Sequence, residues 1–555
     1  MSFYSELGYG HKARVLYVLW IASVLVVLAF GARVLDYSWE LNSGFFKWVI
    51  GGGIAGLFAL YAWLSTYDRV SENKKVRRAF KQGKGGSARF GGSGTYAKYE
   101  WGKAKKAPIY LGRSLGQHDP RPGGRDIGVD DESHMVTIAQ SGAGKSVTVI
   151  WPNLVKYPYP DSVFVLDPKG EHAQNTSGHR SAMGQRVIVL DPFEMTNGLQ
   201  LHGLNPLAHL DVNSPRAAED IKAIADACVI PAAKSDATDQ HFDNLKRAMI
   251  AGVIAQTISS EPKQNHNLPF VYERLMDLGD EKAFENFLND MRHNSACGDL
   301  PRRAVTLYEM AGKNEKGSIF TSTIACLEWV ASDGMRELLL RDDFQFSQIR
   351  TEQMSVYVVL DFDAMKPDRQ GRFMRVMMNL AFQACRDIPL PADRSRRRTL
   401  FILDEVAQVG SMPSLKSAYQ TLRSYNTKIW AFYQQFQGLA DQVDDTTAIT
   451  GNSTKQFFGC EDEITAEAIE KLLGKYKHYD GVREFQRSLL DAQEIDAALG
   501  QQDLVQFVKT GAGDLMELTR VRFIPGNASS NTNVNPEVSG GSMSEEELRR
   551  LEEDF

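Results

Sequence analysis

A short glycine-containing turn, placed between an apolar strand pattern and a Lys-Ser pair, constrains this chain more than any other feature. Residues 134–154 read HMVTIAQSGAGKSVTVIWPNL, in which Met135 to Ile138 form the apolar run. A strand that enters such a turn and continues through Lys-Ser into a helix is typical of a phosphate-binding P-loop. Because this loop joins the carboxyl end of a buried strand to a helix, the pattern predicts an α/β fold with a parallel sheet.

The turn supplies the groups that a nucleotide phosphate chain requires. Successive backbone N–H groups converge on the phosphates, and the following helix adds its positive N-terminal end. Lys145 would reach the β- and γ-phosphates of ATP, and the hydroxyl of Ser146 would hold Mg²⁺. Ala139 stands where the motif usually has its first glycine. The residues predicted to bind the nucleotide are Ser141, Gly142, Ala143, Gly144, Lys145, Ser146 and Val147.

A second apolar run ends in a pair of acids. The stretch RRRTLFILDEVAQVG places Asp404 and Glu405 directly after the strand pattern of Leu400 to Leu403. Phosphoryl transfer needs one acid that orients the magnesium shell and one that polarises the attacking water. We assign the first role to Asp404 and the second to Glu405. The alternative, a capping or surface acid pair, is weaker because the same chain carries a P-loop.

Three more strand patterns fit the same sheet. SVFVLDPKGEH and RVIVLDPF each end a β-branched run in Asp-Pro, and TKIWAFYQQF ends in Gln434 and Gln435. Continuous apolar strands are typical of a parallel sheet that is covered on both faces. The amide of Gln434 would sense the γ-phosphate, whereas Asp167, Lys169 and Glu171 either approach the nucleotide or form a turn.

Two apolar stretches, residues 15–35 and 45–64, precede the P-loop. Each has about the 20 residues that a helix needs to cross the hydrocarbon layer of a membrane. Basic residues flank the pair on both outer sides, so the positive-inside rule predicts a two-span anchor with both termini in the cytoplasm. The glycine-rich residues 81–100 that follow predict a flexible neck before the soluble part.

The amino-acid composition disfavours several classes of function. The net charge of −6 argues against a surface that coats nucleic acid non-specifically, but it leaves room for a local basic channel. The five cysteines are scattered and form no CxxC pair, which is typical of buried thiols in a reduced compartment. None of the eleven histidines lies in an HExxH motif, which disfavours a membrane protease.

Longer stretches of the chain carry a family pattern. AQSGAGKS, VFVLDPKGE, KGSIFTSTIACLEWV, LFILDEVAQVGSMPSLKSAYQTLRSYNTKIWAFYQQ and GNSTKQFFGCEDEITAEAI follow one another in that order. In these stretches the chain resembles the type IV secretion coupling proteins, the TraG/VirD group of the FtsK/HerA-like P-loop ATPases. The resemblance implies a RecA-like α/β motor domain with an inserted all-α domain, assembled as a homo-hexameric ring. It also implies type IV secretion channel subunits as partners, and a relaxase with single-stranded DNA as cargo.

The resemblance extends to residues outside the loop. Gln434 matches the family's glutamine, whereas Gln435 departs from the aspartate often found beside it. Arg423 lies where these motors place an arginine that reaches the γ-phosphate of the neighbouring subunit. The alternative for Arg423 is a solvated helix residue. The P-loop lysine and the two acids match the family's Walker motifs.

The predicted order is an anchor over residues 1–70, a nucleotide-binding domain over 71–210 and 340–524, an all-α domain over 211–339 and a flexible acidic tail over 525–555. Helical periodicity without β-branched strands supports the insertion, which is either the substrate-facing surface or a structural cap. The predicted function is ATP-driven delivery of a relaxase–DNA complex across a bacterial inner membrane. Delivery of protein effectors by the same motor, and a docking receptor without hydrolysis, are the alternatives.

Overall fold

The computed structural model describes residues 88–101, 109–231, 237–392, 398–460, 462–479, 484–500 and 504–526. The described residues divide into two compact units: those of 88–90 and 466–497 form one, and those of 91–465 and 498–526 form the other. The predicted membrane spans lie outside the described residues. Among the residues described, no helix is both long enough and apolar enough to cross a membrane.

The larger unit is built on one sheet of eleven strands, and the smaller unit carries an antiparallel hairpin of two strands, β10 (Lys475–Tyr479) and β11 (Glu484–Ser488). β-Branched and aromatic residues dominate the central strands, because such side chains pack well on a pleated surface. The strands of the large sheet are β1 (Ile109–Ser114), β2 (Asp126–Val129), β3 (Met135–Ala139), β4 (Val163–Asp167), β5 (Arg186–Leu190), β6 (Met354–Val359), β7 (Thr399–Leu403), β8 (Thr427–Tyr433), β9 (Thr454–Phe458), β12 (Val505–Lys509) and β13 (Leu515–Thr519).

The large sheet has a parallel half and an antiparallel half. Its strand order is β2-β1-β13-β12-β9-β3-β8-β7-β4-β6-β5. All neighbours from β9 to β5 are parallel, whereas β12 pairs antiparallel with β9 and β13, and β1 pairs antiparallel with β13 and β2. The parallel strands therefore share a carboxyl end of the sheet, where ligands bind in open α/β folds, and an amino end opposite to it.

Helices connect the parallel strands, and most of them lie between β5 and β6. Two π-helical segments, Ser146–Ile150 and Pro152–Lys156, follow the P-loop. The described α-helices are α1 (Ser93–Lys98), α2 (Glu171–Ala182), α3 (Ala217–Cys228), α4 (Ala237–Ser260), α5 (Leu268–Met276), α6 (Glu281–His293), α7 (Ala296–Met310), α8 (Lys313–Leu327), α9 (Asp333–Leu340), α10 (Gln348–Thr351), α11 (Gly371–Asp387), α12 (Pro413–Thr421), α13 (Phe436–Gln442), α14 (Thr447–Thr450), α15 (Glu463–Leu473) and α16 (Ala492–Ala498). Helices α3 to α9 lie in or next to the region predicted as the all-α domain, whose boundaries stay a prediction.

Side chains of the central strands alternate between two hydrophobic clusters, one on each face of the sheet. On β7, Phe401 and Leu403 belong to one cluster, and Leu400 and Ile402 belong to the other. This alternation follows from the two-residue period of a strand. The first cluster continues into α3 to α9 and α11, so the inserted helices share a core with the sheet. All five cysteines lie within the described residues and are buried, as the sequence predicts, and none of them is in a disulfide.

Arg375 of α11 hydrogen-bonds both to the end of α3, one of the inserted helices, and to the segment that follows the acid pair. Its guanidinium donates to the carbonyls of Ala227 (3.0 Å) and Val229 (3.4 Å) at the end of α3. It also donates to Val409 (3.3 Å) and Ser411 (2.5 Å), which follow the acids. Burial lowers the pKa of Arg375 to about 10. A buried cation is tolerated only where hydrogen bonds replace its water, and here four carbonyls do so.

The prediction of a flexible neck over residues 81–100 is wrong in its second half. Residues 93–98 form α1, and Tyr96 on this helix is fully buried in the second hydrophobic cluster. The Tyr96 hydroxyl donates to the carbonyl of Glu517 on β13, at 3.2 Å. The glycine content of the segment suggests flexibility, but the aromatic ring of Tyr96 buries enough apolar surface to order the helix.

Candidate nucleotide site

The P-loop leaves β3 at the carboxyl end of the sheet. Gly142 and Gly144 both have φ of +80°, a backbone conformation that other residues adopt only at a cost. The N–H of Gln140 donates to the carbonyl of Gly459 after β9 (3.1 Å), which ties the start of the loop to the neighbouring strand. The Thr148 hydroxyl donates to the carbonyl of Gly144 at 2.7 Å, and the chain enters the π-helical segments from there.

Lys145 lies buried between the loop and the acid pair. Its ammonium forms an ion pair with the carboxylate of Glu405 and donates to the carbonyl of Ala139 at 3.4 Å. Ala139, which replaces the usual first glycine, is itself buried as the last residue of β3. The structure thus brings together the P-loop lysine and the acid predicted to activate water, which lie 260 residues apart in the chain.

Asp404 and Glu405 directly follow β7. Glu405 has φ of +53°, a left-handed conformation that costs a non-glycine residue roughly 1–2 kcal/mol. Burial raises the pKa of Glu405; the charge of Lys145 opposes this rise, and the neighbouring Asp404 adds to it. Burial opposes ionisation of Asp404 as well, but the hydrogen bond to His172 and the charge of Lys145 lower the pKa of Asp404. The two acids therefore differ in proton affinity, as their separate predicted roles require.

His172 joins the acid pair to the helical segment after the P-loop. Its Nε2 lies 3.2 Å from Asp404 Oδ2, and the indole N–H of Trp151 lies 3.1 Å from its Nδ1. The charges of Asp167 and Asp404 outweigh burial and raise the pKa of His172, whereas the Trp151 donor requires an unprotonated Nδ1. The indole N–H of Trp151 can only donate, so Nδ1 must be the acceptor. The ring proton therefore lies on Nε2, which donates to Asp404.

The glutamine after β8 contacts Glu405 of the acid pair, and its predicted role at the γ-phosphate stays a prediction. Gln434 follows Tyr433, and its side chain hydrogen-bonds to Glu405. Gln435 instead precedes α13 in an extended conformation, and the next residue, Phe436, donates its N–H to the Thr465 hydroxyl at 2.9 Å. The structure therefore assigns a site contact to the first glutamine and a helix-start position to the second.

The Asp-Pro segment after β4 forms a turn. Both carboxylate oxygens of Asp167 accept backbone hydrogen bonds, from Ala173 at 2.8 Å and from Lys169 at 3.4 Å, at the start of α2. Lys169 lies 3.8 Å from Glu171 in a largely exposed pair. Of the two alternatives for these residues, the structure favours the turn. The residue of this segment that reaches the site is His172, which is not among the predicted site residues.

Arg423 does not lie near the site of its own chain. It precedes β8, and its guanidinium pairs at 3.3 Å with Glu132, which precedes β3. Both residues therefore lie at the amino end of the sheet, and the five residues of β3 separate them from the P-loop by roughly 16 Å. Arg423 remains half exposed there and is accessible to a neighbouring molecule.

Arg520, which is also not among the predicted site residues, contacts the backbone of the P-loop. It follows β13 and donates to the carbonyl of Ala143, although the two residues are 377 positions apart. Its guanidinium lies 4.2 Å from the centre of the Phe458 ring, and burial lowers its pKa to about 10. The N–H of Phe523 also donates to Val147, at 2.7 Å. No local motif marks this contact, because it depends on how distant strands pair.

The arrangement of oxygens fits a nucleotide with Mg²⁺. Asp404 Oδ1 is buried and has no hydrogen-bond partner among the described residues, which leaves a desolvated carboxylate oxygen for a ligand to satisfy. Ser146 is only partly buried on the loop. The described part of the chain holds no group of three or more His, Cys, Asp or Glu side chains that would bind a metal alone. A magnesium ion carried by phosphates needs only one or two protein oxygens.

A P-loop, an acid pair and a glutamine at the carboxyl end of a parallel sheet define a P-loop nucleotide-binding protein of the RecA-like α/β class. Residues 97–488 match the model of the family described as type IV secretory system conjugative DNA transfer. The chain belongs to this family, and the family resemblance drawn from the sequence is confirmed.

Individual relatives are distant. The chain is 25% identical over 389 residues to Protein VirD4 of Agrobacterium fabrum. This match covers 67% of this chain and 53% of that protein. The chain spans about half the length of the relatives it matches. Its fold is similar to plasmid coupling protein TrwB in complex with ADP and Mg²⁺ (TM-score 0.57, 16% identity, 79% of this chain and 95% of that one).

TrwB in complex with the non-hydrolysable ATP analogue ADPNP gives a similar match (TM-score 0.58, 15% identity, 80% of this chain and 95% of that one). At these identities the likeness shows the fold. The prediction of a RecA-like α/β motor fold with a large parallel sheet is confirmed, and the two-span hairpin stays a prediction.

Proposed function

We propose that this chain is a coupling ATPase that hydrolyses ATP with Mg²⁺ and delivers a relaxase–single-stranded DNA complex to a type IV secretion channel. The observation that carries the proposal is the convergence of Lys145, Asp404, Glu405 and Gln434 at one end of the sheet. This convergence occurs in a chain of the conjugative DNA transfer family. TrwB, which has a similar fold, binds ADP with Mg²⁺ and an ATP analogue.

The residues of the site would divide the work of phosphoryl transfer. The P-loop amides and Lys145 would hold the phosphates, and Ser146 and Asp404 would hold Mg²⁺, which neutralises charge on the phosphate oxygens when bound. Glu405 would accept the proton of the attacking water while Gln434 fixes its carboxylate. Lys145 contacts Glu405 in this structure, so phosphates that draw the ammonium away would leave Glu405 free to act as the base.

The position of Arg423 supports an assembly of several subunits. This residue lies at the amino end of the sheet, so it reaches a γ-phosphate only in a neighbouring subunit. We therefore include a homo-hexameric ring in which Arg423 completes the neighbour's site. An arginine supplied in trans stabilises charge in the transition state and ties hydrolysis to assembly.

The placement of the motor in the cell is also part of the proposal. Residues 15–35 and 45–64 would cross the bacterial inner membrane and leave both termini in the cytoplasm. The region 211–339 would present the cargo-binding surface, and residues 525–555 would form a flexible acidic tail. The motor domain, over 71–210 and 340–524, would then work on the cytoplasmic side of the channel.

ATP hydrolysis by the full-length chain in lipid nanodiscs, with and without single-stranded DNA, tests the enzymatic part. Lys145→Ala should lower the rate at least about 100-fold, because the phosphates lose their ammonium. Lys169→Ala, which removes an exposed lysine at the start of α2, is the matched control and should retain activity. Wild-type activity no higher than that of Lys145→Ala would instead support a docking receptor without hydrolysis.

A cross-linking experiment in the source cell tests the cargo. Leu307 on α7 is 41% exposed, so a photoreactive amino acid there would contact molecules bound to the inserted helices. We expect a relaxase attached to single-stranded DNA among the cross-linked products. Recovery of protein effectors without a relaxase would contradict the DNA cargo and support effector delivery by the same motor.

A further inference from the structure

Two buried hydrogen bonds link the helical segment after the P-loop to the acid pair. Trp151 lies between the two π-helical segments, and its indole N–H donates to His172 Nδ1 at 3.1 Å. His172 Nε2 in turn lies 3.2 Å from Asp404 Oδ2. Trp151 is 7% exposed, His172 2% and Asp404 5%, so water does not compete for these contacts. The three side chains come from three different segments of the motor domain.

The chain of donors determines which oxygen of Asp404 remains available. Since Nδ1 accepts from Trp151, the imidazole carries its proton on Nε2 and donates it to Oδ2. Asp404 Oδ1 has no partner among the described residues, although it is fully buried. Rotation of the Asp404 carboxylate would break the hydrogen bond between His172 Nε2 and Oδ2. The other oxygen is thereby held in a single orientation.

We propose that His172 is a positioning residue of the nucleotide site: held by Trp151, it fixes Asp404 so that only Oδ1 is presented to the divalent cation of the bound nucleotide. This inference rests on the proposed function, because the cation arrives with the nucleotide. Partners of this kind orient metal-binding carboxylates in many proteins, and their loss lowers metal affinity about 10- to 100-fold. His172 itself would contact neither the nucleotide nor the metal.

Metal binding to the ADP complex tests the role without depending on turnover. The full-length chain is loaded with ADP, and the dissociation constant of Mn²⁺ is measured by electron paramagnetic resonance. His172→Leu should raise this constant at least about 10-fold, because Asp404 then loses the side-chain donor that fixes Oδ2. ADP affinity in the absence of metal should stay within about twofold, since the P-loop is untouched.

A conservative substitution separates positioning from packing. His172→Gln should keep Mn²⁺ affinity within about threefold, because the amide nitrogen of glutamine extends to a position similar to that of imidazole Nε2 and donates likewise. If His172→Leu binds Mn²⁺ as tightly as the wild type, or if His172→Gln is as weak as His172→Leu, the proposal is wrong. An equal loss of metal-free ADP affinity in the leucine variant would also overturn it, since that indicates general damage.

Trp151→Phe provides the test where His172→Leu does not fold. This variant keeps an aromatic ring in the core but removes the donor to Nδ1, so we expect about threefold weaker Mn²⁺ binding and unchanged metal-free ADP binding. Unchanged Mn²⁺ affinity in a folded Trp151→Phe protein would contradict the proposal. If the wild type itself binds neither ADP nor Mn²⁺, the proposed function fails. Normal wild-type binding with no effect of these substitutions refutes only the role of His172.

Discussion

The two ends of the parallel sheet both bury charged side chains, but they satisfy them differently. At the amino end, Lys428 is 1% exposed in its side chain and bonds to the carbonyl (2.8 Å) and the carboxylate (3.1 Å) of Asp131. Asp131 also accepts from Ser133 (2.6 Å) and Thr454 (3.1 Å). At the carboxyl end, Asp404 keeps a buried oxygen without a partner among the described residues.

We infer from this difference that the buried charges at the amino end are structural and those at the carboxyl end are functional. Asp131 at the amino end accepts hydrogen bonds from three side chains and is 29% exposed, so its pair with Lys428 holds the strands together without a ligand. Glu405 at the carboxyl end has a left-handed backbone, and its pKa is raised by burial. A strained backbone beside an unpartnered carboxylate oxygen is typical of a site that a ligand completes. Nε2 of His134 at the amino end is also buried without a partner among the described residues, but it belongs to a neutral ring. Substitutions at the amino end should therefore affect stability, and those at the carboxyl end should affect activity.

Arg423 lies at the amino end, but in the proposed ring it would affect activity instead of stability. Its removal should give the largest effect on ATP hydrolysis among these substitutions. Arg423→Ala in assembled rings should lower ATP hydrolysis about 1000-fold, because an arginine supplied in trans contributes at least that factor in related phosphoryl-transfer reactions. The unfolding temperature should not change. Glu132→Ala, which removes the exposed partner of Arg423 but keeps the cation, is the control and should stay active. A similar loss in verified monomers would exclude a role between subunits.

Lys428→Met should give the largest loss of stability among these variants. Removing the buried ammonium leaves the carboxylate of Asp131, which is 29% exposed, without its cation, and we expect the free energy of unfolding to fall by about 1–3 kcal/mol. Chemical denaturation of the full-length chain measures this change. Lys471→Met, which breaks an exposed pair with Glu467 at 3.9 Å, is the control and should unfold like the wild type. Equal stabilities of the two variants would contradict a structural role for the amino end.

His134 should make the amino end sensitive to acid. Burial, with a contribution from the charge of Lys428, lowers the pKa of His134 from 6.5 to about 3. Between these values the unfolded chain binds a proton that the folded chain does not, so stability falls as pH falls. Its Nδ1 accepts from the N–H of Ile429 at 3.0 Å, and Asn at this position would keep that acceptor without titrating.

The difference in unfolding free energy between the wild type and His134→Asn should therefore change with pH. Below pH 6.5 the wild type should lose about 1.4 kcal/mol per pH unit relative to the variant. Denaturant titrations at pH 7, 6 and 5 would measure this slope. A constant difference across these pH values would show that the imidazole does not contribute the expected acid sensitivity.

The sequence predicts the carboxyl end of the sheet well, because this end is encoded locally. The apolar run of Met135 to Ile138 lies within β3 and that of Leu400 to Leu403 within β7, each with one residue more. A buried parallel strand needs a continuous apolar run, and its last residue places the next polar side chain at the shared end of the sheet. The P-loop lysine, the acid pair and Gln434 accordingly meet where the sequence places them.

The antiparallel half and the supporting contacts are not encoded locally. Arg113 on β1 pairs with Thr519 on β13, which lies about 400 residues further along the chain. Neither short strand carries a distinctive pattern by itself. His172 follows a turn motif, and Arg520 directly follows β13, a strand without a distinctive sequence pattern. Their contacts with the acid pair and with the P-loop depend on which strands are neighbours, and this order emerges only from the folded sheet.

The separation of nucleotide binding from nucleotide turnover in Glu405→Gln tests the central claim most directly. Binding of radiolabelled ATP and its hydrolysis should be measured on the same preparation of the full-length chain. Binding should stay within about threefold of the wild type because the phosphate contacts of the P-loop remain, while hydrolysis should fall at least about 100-fold because the base is gone. Loss of binding equal to the loss of hydrolysis, or turnover at the wild-type rate, would contradict the account.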